Sequence, residues 1–344
     1  MKTLRTAVIG LGRIGWQFHL PQITSRDGFD LVAVADPLEE RREQAKSEFG
    51  ARGYSTCGEL LEGEGLDLVV VASPTPFHAD HAEAAFEAGC DVFCEKPMAA
   101  SLAEADRMVA SAKSHGRKLM LFQPHRAGAD LVALREILGL IGPVYMIKRA
   151  CSAYTRREDW QAFRKNAGGM LNNYGAHFID QVLHLSGSRA KRVFCALRSI
   201  ASLGDADDVV KVVIETEGGM LLDVDINMAS AQPMQPWHIL GNRGSIVMDQ
   251  ESRAWHVRLF AEEDLTNLAT QQGFAARDRR YGSGEKIPWQ EKVFPLSDFQ
   301  PTDYYEKCYE YFAMGAEPFV PMEESRELMR VLNECRQSAG WGEQ

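Results

Sequence analysis

The sequence predicts an α/β protein in two parts. A doubly wound parallel sheet occupies residues 1–123, and an α+β unit with a large, mostly antiparallel sheet occupies residues 124–344. Three observations carry this reading. Short, wholly apolar runs alternate with helical stretches through the first part, as expected of strands buried on both faces. A glycine-rich turn joins the first of these runs to the first helix. After residue 124 apolar and polar residues alternate instead, the period of half-exposed strands.

Residues 4–10 (LRTAVIG) form the first expected strand. A helix opens near Arg13, and Pro21 ends or bends it, because proline lacks an N–H and crowds the preceding turn. Residues 30–36 read as a second strand and Glu39 to Phe49 as a helix by composition. Residues 67–72 and 91–94 are further buried strands, separated by an Ala-rich helix from Ala79 to Ala88. Ser101 caps a helix running towards His115, with Glu104 three residues on as its capping-box partner. Residues 118–123 close the parallel series. In the second part, an amphipathic helix covers 128–140. Strands follow at 143–150, 190–199, 207–216, 219–228, 236–240, 244–249 and 254–260, with a helix near 175–186. The polar, glycine-containing stretch 261–300 reads as a surface excursion, and 303–315 and 323–338 as closing helices.

Bulk properties exclude several classes. The chain has 344 residues, 45% of them hydrophobic and 25% charged, which suits a two-domain globular protein. Its net charge of −10 argues against a general nucleic-acid binder, which needs cations to neutralise phosphates. Two local basic clusters, Arg156, Arg157, Arg164 and Lys165, then Arg277, Arg279 and Arg280, read as solvated faces. No apolar run reaches the roughly 20 residues that span a bilayer, and the apolar start runs straight into a glycine turn, unlike a signal peptide. A cytoplasmic location is expected. The 7 cysteines are odd in number and form no CxxC pair, so neither a disulfide framework nor a metal site is expected.

The chemistry begins at Gly10-Leu11-Gly12-Arg13-Ile14-Gly15. Following a strand and opening a helix, this GxGxxG reads as a dinucleotide site of the Rossmann kind. The glycines permit a tight turn, close approach to a pyrophosphate and close helix packing, and the helix N-terminus offers free N–H groups. Asp36 ends the second strand about 20 residues later, placed to accept from ribose hydroxyls and to repel a 2′-phosphate. NAD is therefore favoured over NADP, and Arg41 a little further on softens that preference. Asp36 also has the chemistry of a helix N-cap.

Two segments follow strand ends, where open parallel sheets bind ligands. They are Ser73-Pro74-Thr75-Pro76-Phe77-His78 and Glu95-Lys96-Pro97. A third, Gly168-Gly169-Met170-Leu171-Asn172-Asn173-Tyr174-Gly175-Ala176-His177-Phe178-Ile179-Asp180, sets Asn173 and His177 on one helix face. In this order and spacing, the motifs resemble the glucose–fructose oxidoreductase and inositol dehydrogenase (Gfo/Idh/MocA) family over nearly the whole chain. The resemblance implies a Rossmann domain plus an open-faced sheet domain, with the active site between them. It implies that Lys96 is the catalytic lysine with His177 beside it. It also implies that Glu95, Thr75, His78 and Gln123 line the nicotinamide and its ribose, with Ser73 in the same loop.

These roles agree with the chemistry. Oxidising a secondary alcohol removes a hydride from carbon and a proton from oxygen. A lysine takes that proton once its pKa falls from about 10.4 towards neutrality, and both burial and the nicotinamide cation push it down. His177 is placed to donate to the same oxygen or relay the proton. At Asn173 many similar sugar and inositol dehydrogenases carry an aspartate. An amide orients Lys96 without stabilising its ammonium by charge, so Lys96 is expected to lose its proton more easily here. Tyr154, Arg157, Trp160, Arg164 and Asn172 are candidate substrate contacts, since a polyol needs hydrogen-bonding groups and an aromatic face. Trp237 and His238 form a weaker candidate pair.

Three functions follow from the motifs. The first is hydride transfer between the nicotinamide and a hydroxyl of a sugar, cyclitol or glycoside. The second uses transient oxidation to cleave a glycosidic bond. The third is a nucleotide-binding sensor without turnover. A sheet covered by helices on one face leaves the other free, so a homodimer or homotetramer is expected.

Overall fold

The computed structural model describes residues 2–270, 272, 282 and 284–342. The cluster Arg277, Arg279 and Arg280 lies outside the described residues. Six strands build the first sheet: β1 (Leu4–Ile9), β2 (Phe29–Ala35), β3 (Arg52–Tyr54), β4 (Leu68–Val71), β5 (Asp91–Cys94) and β6 (Leu119–Leu121). Their order is β3-β2-β1-β4-β5-β6 and every pair is parallel. All of β4 is buried, as its run of Leu and Val requires. Strand order reverses between β1 and β4, which opens a crevice at their carboxyl ends. Helices α1 (Leu20–Thr24), α2 (Glu39–Phe49), α3 (Cys57–Gly63), α4 (His78–Glu87) and α5 (Leu102–Ser114) connect the strands.

Four local features differ from the sequence expectation. The first helix runs past Pro21 to Thr24. A π-turn over Gly15–His19 precedes the proline, which then falls in the first turn of α1, where its missing N–H costs little. Ser101 does cap α5, accepting from the Glu104 N–H at 3.2 Å, but the Glu104 carboxylate takes the Ala100 N–H instead. The reciprocal capping box lies at Thr56 and Glu59, at the start of α3, an unanticipated helix. The short strand β3 was also not anticipated. It has three residues, one a glycine, and presents no periodic signal.

The second sheet has eight strands: β7 (Val144–Ser152), β8 (Ala190–Arg198), β9 (Val209–Thr216), β10 (Leu221–Asn227), β11 (Trp237–Gly241), β12 (Gly244–Asp249), β13 (Ala254–Leu259) and β14 (Gln290–Pro295). They run in the order β14-β13-β12-β11-β7-β10-β9-β8, and only β7 and β10 pair in parallel. The edge strand β14 lies inside the expected surface excursion. Its residues QEKVFP are almost all exposed, so no apolar alternation announces it. Helices α6 (Ala129–Ile137), α7 (Ala176–Ser186), α8 (Tyr304–Met314) and α9 (Met322–Ser338) complete the chain. Val210, Val212 and Ile214 of β9 and Leu222, Val224 and Ile226 of β10 are fully buried on one side of this sheet. The register puts Phe194, Lys211, Val213, Asp223 and Asp225 on the other.

α8 returns to the first sheet. The Tyr304 hydroxyl donates to Leu121 O at 2.6 Å and accepts from the Gln123 N–H at 2.9 Å. A second tie is a buried ion pair. Arg126 follows β6, and its guanidinium grips both carboxylate oxygens of Asp180 on α7, at 2.7 and 2.6 Å. Arg126 also reaches Glu324 on α9. Together these bonds lock α7 against the end of β6. Among the described residues no helix is long and apolar enough to cross a membrane. All seven cysteines are unbonded.

Candidate functional site

The glycine turn is shaped for close approach. Gly10 has φ of +96°, and a Cβ there would sit 2.6 Å from Ser73 N. A Cβ on Gly15 would sit 2.0 Å from Gly10 O, so only glycine lets the helix pack on the turn. Gly12 differs, because a Cβ there meets nothing within 4 Å. The space above it is an open cradle, bordered by the exposed Arg13 and Ile14 and the free N–H groups of a helix start. This arrangement fits a dinucleotide pyrophosphate.

Asp36 is more committed than expected. Its carboxylate accepts from Leu11 N at 2.8 Å and Leu38 N at 3.0 Å, so it ties the glycine turn to the end of β2. Arg41 reaches the same oxygen at 3.3 Å and partly neutralises it. A carboxylate oxygen accepts more than one bond, so ribose recognition is compatible with these contacts.

Lys96 follows β5 and is half-buried. Its Nζ donates to Asn173 O at 3.1 Å and Asn173 Oδ1 at 3.2 Å. Burial pushes its pKa down to about 8. The Glu95 carboxylate opposes that shift, while the Arg13 and Arg157 guanidiniums add to it. Asn173 lies in a π-helical turn, Leu171–Gly175, which leads directly into α7. The amide therefore holds the amine by two oxygens without adding charge. Glu95 is turned inwards: one carboxylate oxygen bonds His19 Nε2 at 3.0 Å and the other accepts the Lys96 N–H at 3.2 Å. The other nitrogen of His19 bonds the Tyr305 hydroxyl at 2.7 Å. Glu95 thus buttresses the lysine loop from below.

His177 opens α7. Gln123 donates through Nε2 to Ala176 O at 3.2 Å, so its Oε1 must accept from His177 Nδ1, at 3.0 Å. That places the ring proton on Nδ1 and leaves Nε2 as an acceptor. Burial holds the His177 pKa well below its ordinary value, aided by the Lys96 charge. In this tautomer Nε2 is an acceptor, the arrangement that the expected proton relay needs. The His125 ring stacks on His177 with centroids 4.0 Å apart and planes within 6°. Burial brings the His125 pKa down to about 4, so this ring too is neutral at pH 7.

The remaining candidates divide. Thr75, Lys96, Gln161, Asn172 and Asn173 line one small cavity of about 30 Å³ beside the lysine. His78, expected along the nicotinamide, is instead 1% exposed, and its nitrogens face Ser73 O at 2.8 Å and Pro97 O at 2.9 Å. It staples the two strand-end loops together. The Ser73 hydroxyl bonds His81 at 3.0 Å. Arg164 is held by Trp341, donating to its carbonyl at 2.7 Å and lying 4.4 Å over its ring. The Asn172 amide is spent on Ala167 O and Arg336. Tyr154 and Trp160 are exposed on the approach. Trp237 is a core residue, beneath the guanidinium of Arg149.

Sequence reasoning missed Gln161, His125 and His19. Gln161 links the approach loop to the lysine: its Oε1 accepts from Arg157 and, at 3.4 Å, from Asn173 Nδ2. No local pattern marks such a glutamine. His125 carried one signal, its place two residues beyond Gln123 at a strand end.

Comparison with known proteins agrees with the fold. Residues 4–123 match the family model "Oxidoreductase family, NAD-binding Rossmann fold". Residues 133–247 match "GFO/IDH/MocA C-terminal domain". D-glucoside 3-dehydrogenase of Escherichia coli (strain K12) is 27% identical over 77% of this chain and 74% of its own length. Myo-inositol 2-dehydrogenase of Thermotoga maritima is 28% identical over 72% of this chain and 75% of its own. Among solved structures, an NAD-binding protein from Listeria innocua superposes with a TM-score of 0.81 at 23% identity, over 98% of this chain and 95% of the other. At that identity it speaks for the fold alone.

Proposed function

The chain belongs to the GFO/IDH/MocA family of oxidoreductases, and from that membership we propose that it transfers a hydride between the nicotinamide of NAD and a ring hydroxyl of a carbohydrate-like substrate. In this reading residues 1–123 hold the cofactor and residues 124–344 present the substrate. The observation that carries it is Lys96: a half-buried amine at the carboxyl end of a parallel strand, with a pKa brought down to about 8 and held by the Asn173 amide.

The bound nicotinamide supplies the hydride acceptor. The protein's residues manage the proton. Oxidation starts from free Lys96 Nζ, which takes the hydroxyl proton as the C–H bond breaks. Asn173 holds that amine through Oδ1 and its backbone oxygen. His177 Nε2 accepts a hydrogen bond from a substrate hydroxyl and so orients it, with Gln123 fixing the tautomer from behind. In reduction the Lys96 ammonium returns the proton to the alkoxide. Thr75 lines the same cavity and Gly12 leaves room for the pyrophosphate. Asp36 favours NAD over NADP, and the adjacent Arg41 limits that preference.

The test is a panel of sugars, cyclitols and glycosides with NAD and NADP, following nicotinamide reduction and release of any aglycone. Reduction of NAD by at least one polyol, lost on Lys96→Met with NAD binding retained, is expected. Aglycone release without net NADH would replace this reading with transient-oxidation glycosidase chemistry. Silence from the whole panel would leave a binding protein.

Self-association is part of the proposal. The uncovered face of the second sheet exposes Phe194 by 58% and Val293 by 54%, and sedimentation should find a dimer or tetramer.

A further inference from the structure

We propose that the substrate carries a carboxylate, and that Arg157 receives it. The inference rests on the dehydrogenase reading above and names its substrate class. Residues Ala153 to Trp160 form the approach to the lysine cavity, and within that stretch only Arg157 is turned inwards; its neighbours on both sides are exposed. Its guanidinium reaches the cavity wall at Gln161 Oε1, and through Gln161 and Asn173 it is three hydrogen bonds from Lys96 Nζ.

The lining of that cavity carries a positive charge and no negative one. It contains Lys96 and the amides of Gln161, Asn172 and Asn173, but no carboxylate. Glu95 answers Lys96 from below, and both its oxygens are already engaged. Arg13 stands at the glycine turn, where a pyrophosphate is its natural counter-ion. Arg157 is left with an amide oxygen and with Asp159, whose carboxylate is 3.8 Å away, 52% exposed and shared with the Gln161 N–H. An ion pair so long and so exposed is weak. The guanidinium has five N–H donors in a planar fork, and a carboxylate matches two of them side by side.

Gln161 then acts as a placeholder. Its Oε1 occupies Arg157 until a substrate carboxylate displaces it, and the freed Oε1 remains bonded to Asn173 Nδ2, which keeps Oδ1 aimed at Lys96. A carboxylate rather than a phosphate is implied, because one weakly paired guanidinium balances one negative charge. Uronic and aldonic acids combine such a group with the secondary hydroxyls that the lysine requires.

The test compares matched pairs in the full-length protein: glucuronate with glucose, galacturonate with galactose, and gluconate with glucitol, with glucose 6-phosphate as the phosphate arm. Steady-state kcat/KM with NAD is one readout. Binding of each compound to the cofactor-free protein by calorimetry is the other. At least one acid should exceed its neutral partner tenfold or more. Arg157→Met should cut that acid-to-neutral ratio at least tenfold, and Arg157→Lys should restore part of it. Neutral sugars turned over as well as their acids, or a ratio unchanged in Arg157→Met, would overturn the proposal and leave the dehydrogenase reading standing. A stronger response to glucose 6-phosphate would overturn the carboxylate. Failure of every compound to reduce NAD or to bind would remove both readings together.

Discussion

Replacing Asn173 by aspartate should raise the pKa of Lys96 and slow oxidation at neutral pH. The amide oxygen lies 3.2 Å from Nζ, and an aspartate keeps that geometry while adding a full charge. Coulomb's law at an effective dielectric of about 20 gives an attraction of roughly 5 kcal/mol at this separation. Burying the new carboxylate offsets much of it, and opposite charges in such contact shift a pKa by about 1–3 units. Lys96 starts at about 8, so the variant should titrate at roughly 9–11. The sign follows from the role of the amine. Oxidation needs free Nζ, and each unit of upward shift removes about nine-tenths of it at pH 7. The rising limb of kcat/KM against pH for oxidation should therefore move to higher pH, with a loss of about tenfold per unit at pH 7. Reduction needs the ammonium and should persist to higher pH than in the parent enzyme. The assay is the pH profile in both directions for parent and variant. An unchanged or lower pKa in Asn173→Asp would refute the view that this position sets the charge state of Lys96.

Other expectations follow from particular contacts. Gly12→Ala should leave thermal stability within about 0.5 kcal/mol, because its Cβ enters open space, yet weaken NAD binding measured by fluorescence. Gly15→Ala should instead lower the melting temperature, since its Cβ collides with Gly10 O. Arg126→Met strands the buried Asp180 carboxylate and should cost about 3–5 kcal/mol in denaturant unfolding, a loss that Asp180→Asn in the same chain should partly relieve. Asp36→Ser removes the charge that opposes a 2′-phosphate and leaves Arg41 unpaired, so the NADP-to-NAD ratio of kcat/KM should rise roughly tenfold or more. An unaltered ratio would deny Asp36 any part in cofactor choice.

The parallel sheet was legible because buried strands need continuous apolar runs and the glycine turn fixes its own geometry. β3, α3 and β14 were not. A strand of three residues and an exposed edge strand bury too little to impose a pattern. In the site, Lys96, Asn173 and His177 were visible as motif residues. Gln161 and His125 were hidden because their partners, Asn173 and His177, lie 12 and 52 residues away in sequence. His78 and Asn172 bore the right chemistry for ligands and are spent on backbone carbonyls and Arg336 instead.

By itself, the sequence determined that a dinucleotide cradle precedes a lysine at a strand end and a histidine at a helix start. Each of these depends on local backbone chemistry: a turn only glycine can make, a strand terminus, a helix beginning. The protonation states were decided only by the tertiary structure. Lys96 loses affinity for its proton because the two halves of the chain close over it. His177 is neutral with Nε2 bare because Gln123 Oε1, 54 residues earlier, accepts a hydrogen bond from the proton on Nδ1. A pKa and a tautomer belong to the surroundings of a group, and those surroundings come from residues far apart in the chain that folding brings together.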